Sequence, residues 1–144
     1  MRTLKVYLAA PYVMKSQMNI YASELRSRGI QVTSSWLDEP HKPTTQMHEL
    51  THEEHQVYAV QDVKDVWAAD VLVFQTDPTK AIIRAGRHVE FGIAIGIAST
   101  RPMPIFVIGE EHENIFHHLP QVTHFPLWEP LRDFLIHLSK IDQE

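Results

Sequence analysis

The segment Gly86-Arg87-His88-Val89-Glu90-Phe91-Gly92-Ile93-Ala94-Ile95-Gly96 holds one acidic side chain in an otherwise apolar stretch. It follows a strand-like run and opens a helix, as phosphate loops do, but it matches neither a P-loop nor the G-x-G-x-x-G dinucleotide fingerprint. Glu90, read as lying in the first turn, has two uses. It can complement the helix dipole, worth about 0.3–1 kcal/mol. Alternatively, a carboxylate kept ionised at a helix N-terminus can act as a nucleophile toward an electron-poor anomeric carbon.

The ten histidines are the other unusual feature. His112, His117, His118 and His124 fall in one region, and His41, His48, His52 and His55 in another. No H-E-x-x-H motif occurs; Thr51-His52-Glu53-Glu54-His55 spaces its histidines i, i+3 and lacks their usual partners. The expectation is no metal, with the histidines lining an interface or the mouth of a site. Phe116 and Leu119 read as the packing residues of their loop.

Apolar periodicity gives the elements that must place these groups. Leu4 to Ala9 reads as a buried strand, and 15–28 as a helix with Ile20 and Leu25 on its apolar stripe, stopped at Gly29. Ile30 to Ser35 alternates as a second strand, and Trp36 to Leu50, with Pro40 and Pro43, reads as a loop. A helix starts at the capping-box pattern Thr51-His52-Glu53-Glu54 and runs to about Ala68. Val71 to Phe74 is apolar enough for burial on both faces. Gly86 to about Ser99 is a helix, Pro104 to Ile108 a strand, 121–125 a short strand and 127–139 an amphipathic helix.

Strand and helix alternate throughout, which predicts a single α/β domain over 1–144: a flavodoxin-like, doubly wound parallel sheet of about five strands. In such sheets ligands bind beyond the strand carboxyl ends where strand order reverses. Here that is between the first and third strands, flanked by the loops Ala9–Val13 and Gln75–Gly86. Tyr12 lies in the first of these loops.

Length and composition are ordinary for one domain, with 44% apolar and 22% charged residues. A net charge of −5 argues against duplex nucleic acid as a partner. The sequence has no apolar run of membrane-spanning length, and its first residues have no signal-peptide pattern. With no cysteine as well, a cytoplasmic location is expected.

The strand motif Lys5-Val6-Tyr7-Leu8-Ala9-Ala10-Pro11-Tyr12, the stretch Asp62…Ala68-Ala69-Asp70-Val71-Leu72-Val73-Phe74, and Gly86-Arg87-His88-Val89-Glu90-Phe91-Gly92 occur in that order. Together they resemble the nucleoside 2-deoxyribosyltransferase family, which includes nucleotide N-glycosidases. The resemblance runs from about residue 4 to residue 125. It implies an oligomeric, cofactor-free enzyme acting on nucleosides or nucleotides and free bases. It further implies Glu90 as nucleophile, Asp62 as the acid that protonates the leaving base, Tyr7 as the group holding the nucleophile, and Asn114 reaching the sugar 5′ end of a neighbouring subunit's site. Helical spacing puts His55 and Tyr58 on the face of Asp62, so either competes for a base-binding role.

Two features depart from the family pattern. Arg84 stands where transferases often carry an aspartate and phosphate-binding relatives a serine. Arg84 and Arg87 therefore admit a 5′-monophosphate substrate. The polar tail Ser139–Glu144 lacks the terminal tyrosine that some transferases contribute. Gly86, Arg87, His88, Tyr12, Arg84 and Asn114 make up the expected substrate contacts. The reading favours transfer of a deoxyribosyl group between bases; the alternatives are a 2′-deoxynucleoside 5′-monophosphate N-glycosidase and a non-catalytic nucleotide or ADP-ribose sensor.

Overall fold

The computed structural model describes residues 2–40, 47–78, 85–109 and 113–141. The order is β1 (Lys5–Ala9), α1 (Lys15–Arg26), β2 (Gln31–Val32), α2 (His52–Ala68), β3 (Val71–Gln75), α3 (Gly86–Ala98), β4 (Ile105–Ile108), β5 (Val122–Phe125) and α4 (Trp128–Ile141). The five strands pair in parallel in the order β2-β1-β3-β4-β5, with helices around the sheet. This is the flavodoxin-like arrangement, and strand order reverses between β1 and β3 as the pattern predicts. Among the described residues, no helix is long and apolar enough to cross a membrane.

The centre of the sheet is its core. Every residue of β3 is buried, and Val6, Tyr7, Leu8 and Ala9 of β1 are fully so. Tyr7 is in register with Leu72 of β3, which puts a phenol at the middle of the reversal. The capping box at the start of α2 forms as expected: Thr51 Oγ1 accepts from the Glu54 amide at 3.1 Å, and Glu54 returns a carboxylate to the Thr51 amide at 3.1 Å. On α1 the expected stripe is shifted. Met18, Ala22 and Leu25 are buried, whereas Ile20 is 54% exposed.

The second strand is shorter than the alternation suggests. Only Gln31 and Val32 pair with β1, at Lys5 and Val6. Beyond them the chain leaves the sheet and replaces backbone pairing with side chains. Ser34 Oγ accepts the Leu8 amide at 2.6 Å, and Trp36 Nε1 donates to the Leu8 carbonyl at 2.9 Å. These bonds satisfy the outer edge of β1 while freeing the chain to turn over it. The segment expected as a loop therefore includes a 3-10 turn, Ser35–Asp38, whose Trp36 and Leu37 are buried.

The turn Ile115–His118 corrects another expectation. Phe116 is 54% exposed, and the residue that anchors the turn is His117, fully buried against Phe74 and Phe91 at ring separations of 4.4 and 4.7 Å. Leu119 packs against the core edge. Neither ring nitrogen of His117 has a hydrogen-bond partner among the described residues. Burial, reinforced by the nearby His88, lowers its pKa to about 4.

Between its ordinary value and about 4, the unfolded chain thus binds a proton that the folded chain refuses. Stability present above pH 6.5 should be lost as pH falls through that window, by on the order of 2–3 kcal/mol. Chemical denaturation of wild type and His117→Phe between pH 7.5 and 4 should show a shallower pH slope for the variant; parallel slopes would remove His117 as the cause.

Candidate functional site

An open cleft of about 590 Å³ lies at the carboxyl ends of β1 and β3, between α2 and α3. Its lining includes Tyr12, Trp36, His55, Tyr58, Asp62 and Glu90, together with Gly86 and Arg87 at the start of α3. That volume is in the range of small-molecule sites. Topology and residue expectations therefore converge on one place.

Glu90 is half-buried on α3, and the buried Tyr7 hydroxyl donates to its Oε2. Helix α3 begins at Gly86 with no acidic residue in its first turn. Glu90 is the fifth helical residue, not a first-turn one as expected from sequence, and so lies past the unpaired amides that concentrate the dipole. The dipole does not hold its pKa down either. Desolvation pushes Glu90 up to about 8, aided by the negative fields of Asp62, Asp65 and Glu39; the Tyr7 hydrogen bond acts in the opposite direction. A carboxylate positioned only to complement a dipole would not be set among three others.

Asp62 faces the same cleft from α2. Desolvation raises its pKa to about 7, with Glu39 and Asp65 adding to the shift. Its Oδ1 is buried and has no hydrogen-bond partner among the described residues. Glu90 and Asp62 thus titrate together near neutrality. The Tyr7 donor favours the charged form of Glu90, and no comparable donor reaches Asp62 Oδ1 among the described residues. Glu90 is nonetheless pushed higher than Asp62, so near neutrality the two carboxyl groups share one proton. Tyr7 itself is raised well above the usual phenol range by burial and by Glu90, so it serves as a donor.

One wall of the cleft is aromatic. Tyr12 and Trp36 are tilted at 42° with centroids 5.4 Å apart. The Tyr12 hydroxyl donates to Glu39 Oε2 at 2.8 Å, and Lys15 Nζ donates to the Glu39 carbonyl at 2.6 Å. The Tyr12 hydroxyl is thereby engaged, and Lys15 Nζ lies 5.5 Å from the centre of its ring. His55 and Tyr58 stand on the Asp62 face of α2, as helical spacing predicts.

The remaining expected contacts divide. Gly86 lines the cleft. The Arg87 side chain is only 3% exposed, ion-paired to Glu113, with its guanidinium 5.7 Å from the centre of the Phe74 ring. It is thus committed to an internal pair rather than presented to a phosphate. His88 turns away from the cleft: its ring packs on Phe74 at 5.3 Å, and Nε2 is 3.6 Å from Glu113. Asn114 caps the turn at Ile115–His118 by accepting the Phe116 amide at 2.9 Å, away from this chain's cleft. Arg84, His41 and His112 lie outside the described residues.

Among the described residues, no three histidine or carboxylate side chains converge as a metal ligand set. Sequence reasoning missed Trp36, Glu39 and Asp65. The first two fall in a stretch whose prolines read as loop. Asp65 had a usable signal, since it is one turn from Asp62 on the same helix.

If the Tyr7 hydroxyl stabilises the charged form of Glu90, Tyr7→Phe should raise the Glu90 titration midpoint. Carboxyl ¹³C NMR across pH 5–10 reads this directly, and an unchanged or lowered midpoint would contradict it.

No family model and no curated protein sequence matches the chain. Solved structures do. The 2-deoxyribosyltransferase of Bacillus psychrosaccharolyticus superposes with a TM-score of 0.64 at 18% identity, covering 90% of this chain and 90% of that one. A CMP N-glycosidase of Clostridium botulinum gives 0.53 at 16%, covering 97% and 99%. A conserved protein of Enterococcus faecalis gives 0.52 at 19%, covering 96% and 89%. At these identities the likeness is one of fold, and it extends over nearly the whole chain.

Proposed function

We propose that this chain cleaves the N-glycosidic bond of 2′-deoxynucleosides through a covalent deoxyribosyl ester on Glu90, then passes the sugar to another nucleobase. The observation that carries the reading is a pair of carboxyl groups that share a proton in one cleft: Glu90, hydrogen-bonded by the Tyr7 hydroxyl, and Asp62 on the facing helix. A reaction that needs one nucleophilic carboxylate and one carboxylic acid suits such a pair, whose reactive form has Glu90 ionised and the proton on Asp62.

In the first step a Glu90 oxygen forms a bond to the anomeric carbon while the C–N bond breaks. The electron pair of that bond leaves with the base, which takes the Asp62 proton. Asp62 is left as a carboxylate and Glu90 as a neutral ester, so the negative charge moves from one to the other. In the second step an incoming base gives its proton to Asp62 as its nitrogen attacks the sugar, and Glu90 leaves. Water in place of the base gives hydrolysis. The absence of a 2′-hydroxyl lowers the cost of the oxocarbenium-like transition state, in keeping with a deoxyribose substrate.

The aromatic wall of Tyr12, Trp36 and Tyr58 on the Asp62 side suits the base. With the anomeric carbon at Glu90, the rest of the sugar extends toward Ala85–Arg87. Arg87 is already neutralised there by Glu113, which favours a 5′-hydroxyl over a 5′-phosphate. The similarity of fold to a deoxyribosyltransferase is consistent with this preference, although a CMP N-glycosidase shares the fold too. Two further elements of the proposal are a second copy of the chain contributing Asn114 to the site and a reaction without a cofactor.

The test is incubation with 2′-deoxynucleosides or their 5′-monophosphates, with and without a second free base. Exchange of bases on the unphosphorylated sugar is the expected result. Base release that demands the phosphate and ignores the acceptor would instead establish a nucleotide N-glycosidase. Saturable binding without turnover would establish a sensor. Glu90→Ala should lower both exchange and hydrolysis by at least about a thousandfold. Rapid quenching of wild type should leave one deoxyribosyl group on the peptide containing Glu90; full activity in the variant would sink the mechanism.

A further inference from the structure

Asp65 is a buried carboxyl group that the proposed reaction does not use directly. It sits one helical turn beyond Asp62 on α2, and its oxygens are fully engaged. Oδ2 accepts from the Ser35 amide at 3.0 Å and from the Ser35 hydroxyl, and Oδ1 accepts from Gln61 Nε2 at 2.8 Å. Its backbone carbonyl accepts from Thr33 Oγ1 at 2.9 Å. Three donors on two oxygens suit an acceptor-only carboxylate. The segment 33–35 that holds it is the one that leaves β2 and carries Ser34 and Trp36 to the Leu8 backbone. Asp65 therefore joins α2 to the turn that forms the aromatic wall of the cleft.

We propose that Asp65 is a positioning residue for the leaving-base acid: anchored by Ser35 and Gln61, it fixes the turn of α2 that presents Asp62 to the cleft and stands behind it as a fixed negative charge. The inference rests on the role given to Asp62 above. Residues three apart on a helix have Cβ atoms about 5–6 Å from each other, close enough for one carboxylate to act on the next. The surroundings of Asp62 do not cancel this field. Glu39 faces it from the turn after β2, Glu90 from α3 and the Tyr7 hydroxyl from β1, while His55 and Tyr58 share its helix face. Among the described residues the nearby cations are committed elsewhere: Arg87 is ion-paired to Glu113, and Lys15 donates to the Glu39 carbonyl. Asp65 contributes to the raised pKa of Asp62, after desolvation and Glu39. Its distinctive property is that its hydrogen bonds fix its location.

Asp65→Asn tests this, because the amide is nearly isosteric. Its oxygen can accept from Ser35, and its NH₂ can face Gln61 once that amide turns over. Loss of the negative charge should move the Asp62 midpoint down by on the order of one pH unit. The sign follows from Asp62 acting in its protonated form. The basic limb of kcat/KM for base release from a deoxynucleoside should shift to lower pH by the same amount. Above the limb the loss should reach about tenfold, shrinking as pH falls. Ser35→Ala, which keeps the charge and removes one hydrogen bond, should leave the limb at its wild-type pH even if the rate drops.

Carboxyl ¹³C NMR of Asp62 in both proteins reads the midpoint without turnover. A shifted midpoint in a protein that releases no base would defeat the proposed function and leave the role of Asp65 standing. An unchanged midpoint, or a uniform loss of rate at every pH, would overturn the role of Asp65. Asp65→Ser, smaller and also neutral, gives the same downward shift and replaces the asparagine variant if that one does not fold.

Discussion

Four carboxyl groups, Glu39, Asp62, Asp65 and Glu90, converge on one side of a five-stranded sheet, and the structure must accommodate their mutual repulsion. Placing like charges together in a partly desolvated cleft costs more than hydrogen bonds between exposed groups recover. The chain meets the problem by giving each carboxyl a different environment. Asp65 receives three donors, Glu39 receives the Tyr12 hydroxyl, Glu90 receives the Tyr7 hydroxyl, and Asp62 Oδ1 receives none among the described residues. The repulsion is thereby turned into an ordering of proton affinities. Chemistry that consumes one proton and one negative charge at different atoms has this requirement.

That ordering depends on the sheet. Tyr7 can hold Glu90 only because β1 and β3 are adjacent and parallel at the reversal of strand order, with α3 crossing over them. Asp65 can hold its place only because β2 stops after two residues and releases Ser35 toward α2. A longer β2 would retain backbone pairing and carry Ser34 and Trp36 away from Leu8. The short strand is thus a structural condition for the cleft wall. Its edge is compensated by the two side-chain bonds to the Leu8 backbone.

Much of this was legible in sequence because it is periodic or local. Alternating strands and helices, the capping box at Thr51 and the apolar run of β3 locate the reversal point, and Glu90, Asp62, His55 and Tyr58 then fall into one cleft. The misplacements share a cause: each depends on which of two neighbouring side chains tertiary packing selects. Phe116 and His117 exchange the roles expected of them, since the pocket between Phe74 and Phe91 takes the residue that the 3-10 turn points inward. Ile20 loses its place to Met18 and Ala22 in the same way. The position of Glu90 in the second turn shows how a boundary error of one turn changes the electrostatic argument. In the first turn a dipole could account for the residue; past it, the neighbours must.

Arg87 illustrates the same dependence in reverse. Its guanidinium beside a glycine at a helix start reads as an anion site, yet it is buried on Phe74 and paired with Glu113. Glu113 also accepts the Asp77 amide, so one carboxylate ties the end of β3 to the first turn of α3. Among the described residues, charge at this end of the cleft is balanced internally, whereas at the Asp62 end negative charges accumulate and the nearby cations are already committed. Among the described residues the two ends of the cleft therefore differ in kind: an ion pair takes up its own charge at one end, and carboxyl groups with raised proton affinity gather at the other.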